Sequence, residues 1–247
     1  MTQTISHTRT RPILGWWLDL VLVAAFVALT WLLIDGHLLT LDQRVADWAF
    51  AHQPGPAYWT ARVFNYLGQG GQVLMPVSLI LTAVLVWRTR SVRSVFPFVA
   101  AFVLTYITIG PLKLWAGRAA PAFSGPDKTI MFNPYAAGPE AMSYPSGHMG
   151  NSLAWYAVIA LLVAALLGRP LRPRETFAIR VLPVAIIFCT TVYTGFHWLT
   201  DSVAGLLLGL VLARLIDRVR WDAIPLPARW NRPSGLVRAT LPRASRA

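Results

Sequence analysis

Long apolar runs separated by short polar links set the pattern of this chain. Six such runs lie at about 13–34, 73–87, 95–115, 149–167, 177–193 and 199–216. A helix of about 20 apolar residues crosses the hydrocarbon of a bilayer, so the pattern predicts an all-α bundle of six transmembrane helices. The second run is short, and Gly70-Gly71 ahead of it lets the helix begin earlier. Pro183 predicts a bend in the fifth. The sixth carries Gly205 and Gly209 at a Gly-x-x-x-Gly spacing. That spacing suits either a closely approaching neighbour helix or glycines that the helix merely tolerates.

Between the first and second runs the period changes. In 41–50, Leu41, Val45, Trp48 and Ala49 fall on one side of a helix, with Asp42, Arg44 and Asp47 elsewhere. Pro54-Gly55-Pro56 ends this short amphipathic helix, and a second short helical piece over 58–67 stops at Gly68. The stretch 116–144, rich in proline and polar residues, is too broken to span and reads as a loop. Loops beyond about 15 residues are mostly functional or unstructured.

Composition supports the membrane reading. Of 247 residues, 55% are hydrophobic and 13% charged, against roughly 25% charged in soluble domains. The net charge of +12 comes from 20 arginines and 2 lysines set against 10 acidic residues. The arginines flank the apolar runs instead of forming one basic face, which sets a nucleic-acid partner aside. Their distribution also gives an orientation. With a cytoplasmic N-terminus, the clusters at Arg88, Arg90 and Arg93, at Arg169, Arg172 and Arg174, and beyond Arg214 all lie inside, and only Arg44, Arg62, Lys113, Arg118 and Lys128 lie outside. The positive-inside rule favours this arrangement. The expected organisation is a cytoplasmic tail over 1–12, a six-helix domain over 13–220, and a basic cytoplasmic tail over 221–247 without fixed structure. The single cysteine, Cys189, lies in an apolar run and reads as a small buried hydrophobe.

Candidate chemistry gathers at one face of this topology. Tyr144-Pro145-Ser146-Gly147-His148 stands where the loop meets the fourth apolar run. Glycine and serine at a helix start suit an oxyanion, because the first backbone N–H groups point outward and carry partial positive charge. His148 is then placed to move a proton. Further along stands Gly195-Phe196-His197-Trp198-Leu199-Thr200-Asp201. His197 and Asp201, four apart, share a helical face, and a carboxylate beside an imidazole fixes its tautomer and orientation. Lys113 and Arg118 fall on the same outer face. His7, His37 and His52 read as tail or interfacial residues.

These residues resemble the type-2 phosphatidic acid phosphatase family, the membrane branch of the acid phosphatase and vanadium haloperoxidase superfamily. Its motifs are Lys-x6-Arg-Pro, Pro-Ser-Gly-His and Ser-Arg-x5-His-x3-Asp. The resemblance covers about 60–215. The second motif is complete at Pro145 to His148, Lys113 and Pro121 match the first, and His197 and Asp201 match the third. It implies that His197 is the nucleophile, that Asp201 holds it, that His148 is the acid, and that Lys113, Ser146 and the Gly147 backbone bind phosphoryl oxygens without a metal. It also implies a lipid phosphate or isoprenoid diphosphate as substrate, at the outer face of the cell membrane.

Two departures stand out. Ala120 occupies the arginine position of the first motif, and Thr190-Thr191 the Ser-Arg of the third. Arg118, two residues early, is expected to substitute for one of the missing guanidinium groups as a phosphate ligand; the competing reading is an interfacial anchor near the outer end of the third helix that touches no substrate. Three readings follow: a lipid phosphate or diphosphate phosphatase, a lipid phosphotransferase of the same fold, and a catalytically weak binding protein.

Overall fold

The computed structural model describes residues 13–227; the tail over 1–12 and the stretch 228–247 lie outside the described residues. The described chain runs through α1 (Ile13–Ile34), α2 (Leu39–Ala51), α3 (Gly55–Asn65), α4 (Met75–Thr89), α5 (Val95–Ala116), α6 (Gly147–Leu167), α7 (Pro173–Thr176), α8 (Leu182–Tyr193) and α9 (Leu199–Arg218). Six helical stretches are long and apolar enough to cross a membrane, as the hydrophobic pattern predicts. The second starts at Gly70, where a wide π-helical turn, Gly70–Leu74, leads into α4. The fifth starts at Pro173, earlier than predicted, and a second π turn, Phe177–Val181, joins α7 to α8. Pro183 falls in the first turn of α8, where a missing N–H leaves no hydrogen bond unmade.

The helix α6 is the axis of the bundle. Its apolar window is 56% buried and that of α9 50%, whereas the other four spans bury 17–22% and turn most of their surface outward. Trp155, Val158, Ile187, Leu212 and Ile216 are fully enclosed in the one core cluster that α6, α8 and α9 share with α4 and α5. Apolar surface drives little association where the solvent is itself hydrocarbon, so close backbone contact must supply the attraction. The glycines provide it. A Cβ on Gly205 would lie 2.5 Å from the Ser146 carbonyl oxygen, and one on Gly209 would lie 2.9 Å from Leu153 Cβ and 3.1 Å from Gly150 Cα. The Gly-x-x-x-Gly spacing therefore marks a true helix–helix seam.

Charge closes the other end of the bundle. Asp19, inside α1, accepts from Arg214 Nε at 2.6 Å and from Arg218 Nη2, and both arginines also donate to the Gly15 carbonyl. A charge within an apolar span is costly unless paired, and here it staples α1 to α9. The polar tail was expected to lose structure from Trp221 onward. Instead Trp221–Ala223 makes a 3₁₀ turn. The Trp221 indole donates to the Ile216 carbonyl at 3.0 Å and packs on the core, while Arg93 Nη1 donates to the Asp222 carbonyl.

The seam gives a stability prediction. Gly209→Ala must push rigid atoms of α6 aside, and overpacking of this kind costs about 1–3 kcal/mol. Gly110, also inside a membrane helix, has nothing within 4 Å of a built Cβ. Thermal unfolding in detergent should show a lowered midpoint for Gly209→Ala and an unchanged or raised one for Gly110→Ala; equal behaviour of the two would contradict the seam.

Candidate active site

Four chain segments converge at one end of the bundle: the C-terminus of α5, the loop over 117–146, and the N-termini of α6 and α9. Gly117, at φ +50°, lets α5 stop and turn. The loop then folds back on itself. Phe132 N donates to Ala116 O, Asn133 N to Gly117 O, and Ser143 N to Arg118 O, all within 2.8–2.9 Å. The Asn133 side chain fixes the middle of the loop, accepting from Tyr135 N at 2.8 Å and donating to Asp127 O at 2.8 Å. Ser146 starts α6 by accepting from Met149 N at 3.3 Å, and its own N–H donates to the Asp201 carbonyl at 2.9 Å. The starts of α6 and α9 are thus bonded directly to each other.

This junction brings the two histidines together. Nδ1 of His148 lies 3.2 Å from Nε2 of His197, with the rings at 72°. Both line a cleft of about 410 Å³. On the far side of His197, Ser143 Oγ lies 3.4 Å from Nδ1 and donates to Asp201 Oδ2 at 2.5 Å. Asp201 Oδ2 itself stands 3.8 Å from Nδ1, an ion-pair separation too long for a hydrogen bond. Asp201 therefore orients His197 through the Ser143 hydroxyl. In this arrangement Nδ1 carries the proton and Nε2 keeps its lone pair. Burial pushes the His197 imidazolium below the usual histidine range, and the nearby carboxylate opposes that shift. The balance favours the neutral ring.

Asp201 is fully buried and fully used. Its Oδ2 also accepts from Trp198 N at 3.0 Å, which caps α9, and its Oδ1 accepts from Arg118 Nη1 at 2.6 Å. Arg118 is likewise enclosed, with no exposed surface. Its Nη2 donates to Asp42 Oδ2 at 2.7 Å, its Nη1 also to Thr200 Oγ1 at 2.9 Å, and its Nε to Thr129 O at 2.9 Å. Burial lowers the guanidinium pKa, but Asp201 and Asp42 outweigh it and hold the group above its ordinary value. The expectation that Arg118 replaces a missing phosphate ligand therefore fails. The side chain lies beneath the cleft wall, with its donors committed to carboxylates and a carbonyl.

The cleft wall contains no motif arginine. Ala120 lines it and brings only a methyl group. Thr191 is buried, and its hydroxyl bonds back to Ile187 O at 2.8 Å while its carbonyl accepts from Phe196 N and His197 N, so this residue shapes the turn before α9. Ser146, also expected to touch phosphate, is buried as the α6 cap and does not line the cleft. Lys113 does line it, with Nζ donating to the carbonyls of Met142 and Ser143. Gly147 lines it too, and a Cβ there would come within 3.1 Å of Lys113 Cε. Glycine at this point keeps the lysine and the first backbone N–H groups of α6 on one surface.

Several lining residues carry no recognisable signal in the sequence. Ser143 precedes the motif by two residues. Asn151 lies one turn into α6, with its Nδ2 on Gly147 O at 2.8 Å. Gln69, Gly70 and Gly71 form the opposite wall at the start of the second span. Asp42, on α2, reaches the site only through Arg118 and Thr200. Among the described residues, no group of three His, Cys, Asp or Glu could hold a metal ion.

No curated protein matches the sequence. A solved structure with a similar fold is the first transmembrane PAP2 type phosphatidylglycerolphosphate phosphatase from Bacillus subtilis, at a TM-score of 0.66 and 20% identity, covering 81% of this chain and 94% of that one. The family model described as the PAP2 superfamily matches residues 94–225, more than half of the 247 residues. That range takes in Lys113, the whole loop, His148, His197 and Asp201, and the chain accordingly belongs to the PAP2 superfamily.

Proposed function

We propose that the protein is a lipid phosphate or diphosphate phosphatase that works through a phosphohistidine on His197. The contact that carries this reading is the one between His148 and His197, 3.2 Å apart in an open cleft, with Ser143 and Asp201 behind the second ring. A nucleophile, an acid and an orienting carboxylate are the parts that phosphoryl transfer by covalent catalysis requires. His197 Nε2 attacks phosphorus, the P–N bond forming as the P–O bond to the leaving group breaks. Protonated His148 gives its proton to the leaving oxygen. Neutral His148 then takes a proton from the water that attacks the phosphohistidine, releasing phosphate and restoring His197. A phosphoryl group between the two nitrogens must part the rings. Lys113 and the backbone N–H groups at the start of α6 hold the phosphoryl oxygens.

The site is proposed to face outward. It lies at the N-termini of α6 and α9, while Arg88, Arg90, Arg169, Arg214 and Arg218 lie at the opposite helix ends. A cytoplasmic placement of those arginines, and of both chain ends, follows from the positive-inside rule. The same arrangement puts Trp48, Trp59 and Tyr66 of the short outer helices and their flank, all exposed, at the level of the outer headgroups.

A second reading, lipid phosphotransferase, draws support from Ala120 and Thr191. With one ammonium and no motif guanidinium, the wall has less charge for a dianionic monoester. An alcohol offered to the phosphohistidine would take the place of water.

Three measurements test these assignments. His197→Ala should abolish both turnover and acid-labile labelling by a radiolabelled lipid phosphate; label retained on another residue would contradict the nucleophile. His148→Ala should slow alkyl phosphates by about 10²–10⁴-fold and slow aryl phosphates far less, because a good leaving group needs no proton; equal losses would remove His148 from the acid role. For topology, Tyr135→Cys and Arg172→Cys are each built on Cys189→Ser. A membrane-impermeant thiol reagent should label the first in intact cells and the second only after permeabilisation, and the reverse pattern would overturn the outward site.

A further inference from the structure

A guanidinium outside all three motifs stacks on a residue that lines the cleft. Arg62 belongs to the last turn of α3. Its Cζ lies 4.6 Å from the centroid of the Phe196 ring. Phe196 lines the cleft and stacks on His148 at 5.7 Å and 29°. One aromatic ring thus carries both the imidazole of the candidate acid and a cation.

The state of that cation sets it apart from the other arginines engaged in the fold. Arg118, Arg169, Arg180, Arg214 and Arg218 each bond a carboxylate. The Arg62 side chain, half-buried, makes no hydrogen bond or ion pair among the described residues, and its one polar contact is with the ring face. Stacking leaves the in-plane N–H donors of a guanidinium free, and they match phosphate oxygens in paired fashion. A place at the C-terminal end of a helix also favours a cation, but it does not call for the cation to stack on a ring that lines the cleft.

We propose that Arg62 is a substrate-contacting residue that binds the anionic part of the leaving group, the second phosphate of a lipid diphosphate. The proposal rests on the reading of His148 as the leaving-group acid. In-line transfer places the leaving oxygen opposite the attacking nitrogen, so the leaving group extends from His197 toward His148 and on to Phe196. Arg62 is the cation in that direction. Lys113, on the α5 side, serves the phosphoryl group that is transferred. The two charges thereby divide between the two phosphates of one anhydride, and a guanidinium from α3 supplies part of the charge that Ala120 and Thr191 lack.

Binding measurements test the proposal independently of turnover. The full-length protein in detergent is titrated with inorganic phosphate and inorganic pyrophosphate, and the ratio of the two affinities is compared among wild type, Arg62→Gln and Arg62→Lys. The preference for pyrophosphate should fall about tenfold in Arg62→Gln, equivalent to one charge-assisted contact, and should return in large part in Arg62→Lys. A matching fall in the diphosphate-to-monophosphate ratio of kcat/KM, for lipids of one chain length, is expected. An unchanged affinity ratio in a normally folded Arg62→Gln protein would overturn the role of Arg62. Loss of the affinity ratio in a protein whose wild type forms no phosphohistidine would instead keep the binding role and remove the catalytic reading beneath it.

Discussion

A single guanidinium held between two carboxylates, none of the three exposed to solvent, ties the site together. Arg118 joins Asp42 of α2 to Asp201 of α9 across the loop that follows α5. Each ion removed from water costs several kcal/mol, and removing one member of a buried pair costs about 3–5 kcal/mol because the partner is left unpaired. Burial pushes the Asp42 carboxyl up, and the guanidinium and the Thr200 donors pull it back. The second negative charge is shared by Ser143 Oγ and Trp198 N, so no carboxylate oxygen is left without a donor. The same bonds set the position of Asp201 and, through Ser143, the orientation of His197.

This arrangement has a cost for recognition. An arginine locked beneath the wall cannot hold substrate, and the two motif positions that would offer guanidinium groups carry Ala120 and Thr191 instead. What remains on the wall is Lys113, the neutral amides of Gln69 and Asn151, and backbone N–H groups near Gly147. Such a surface neutralises one phosphoryl group with one full charge and dipoles. A substrate with two phosphates needs a second cation, and Arg62, stacked on Phe196, is the one proposed for it.

Legibility from sequence divides along physical lines. The six spans were legible because a bilayer demands long apolar helices, and the glycine seam because Gly205 and Gly209 sit one turn apart. His148, His197 and Asp201 were legible as candidates because their spacings are local and their motifs are short. Arg118 was misread because its position two residues from the motif suggested substitution, whereas its partner Asp42 lies 76 residues away on a helix that looks merely amphipathic. Ser143 and Phe196 gave no signal, since a loop serine and an aromatic residue beside a histidine are ordinary in sequence. Trp221 was read with the polar tail because its neighbours are charged, yet its indole packs on the core and Arg93 holds the Asp222 carbonyl.

The central claim is that Arg118 acts on catalysis through Asp201 and not by touching phosphate. Arg118→Lys tests it, since lysine keeps the charge but cannot donate in a fork to two carboxylates. Single-turnover formation of the phosphohistidine and equilibrium binding of inorganic phosphate are measured on the same preparation. The account predicts that the formation rate falls tenfold or more, a change of about 1.4 kcal/mol, while phosphate affinity stays within about twofold, a few tenths of a kcal/mol. A fall in phosphate affinity that matches the fall in rate would place Arg118 on the substrate and contradict the buried network as the basis of the site.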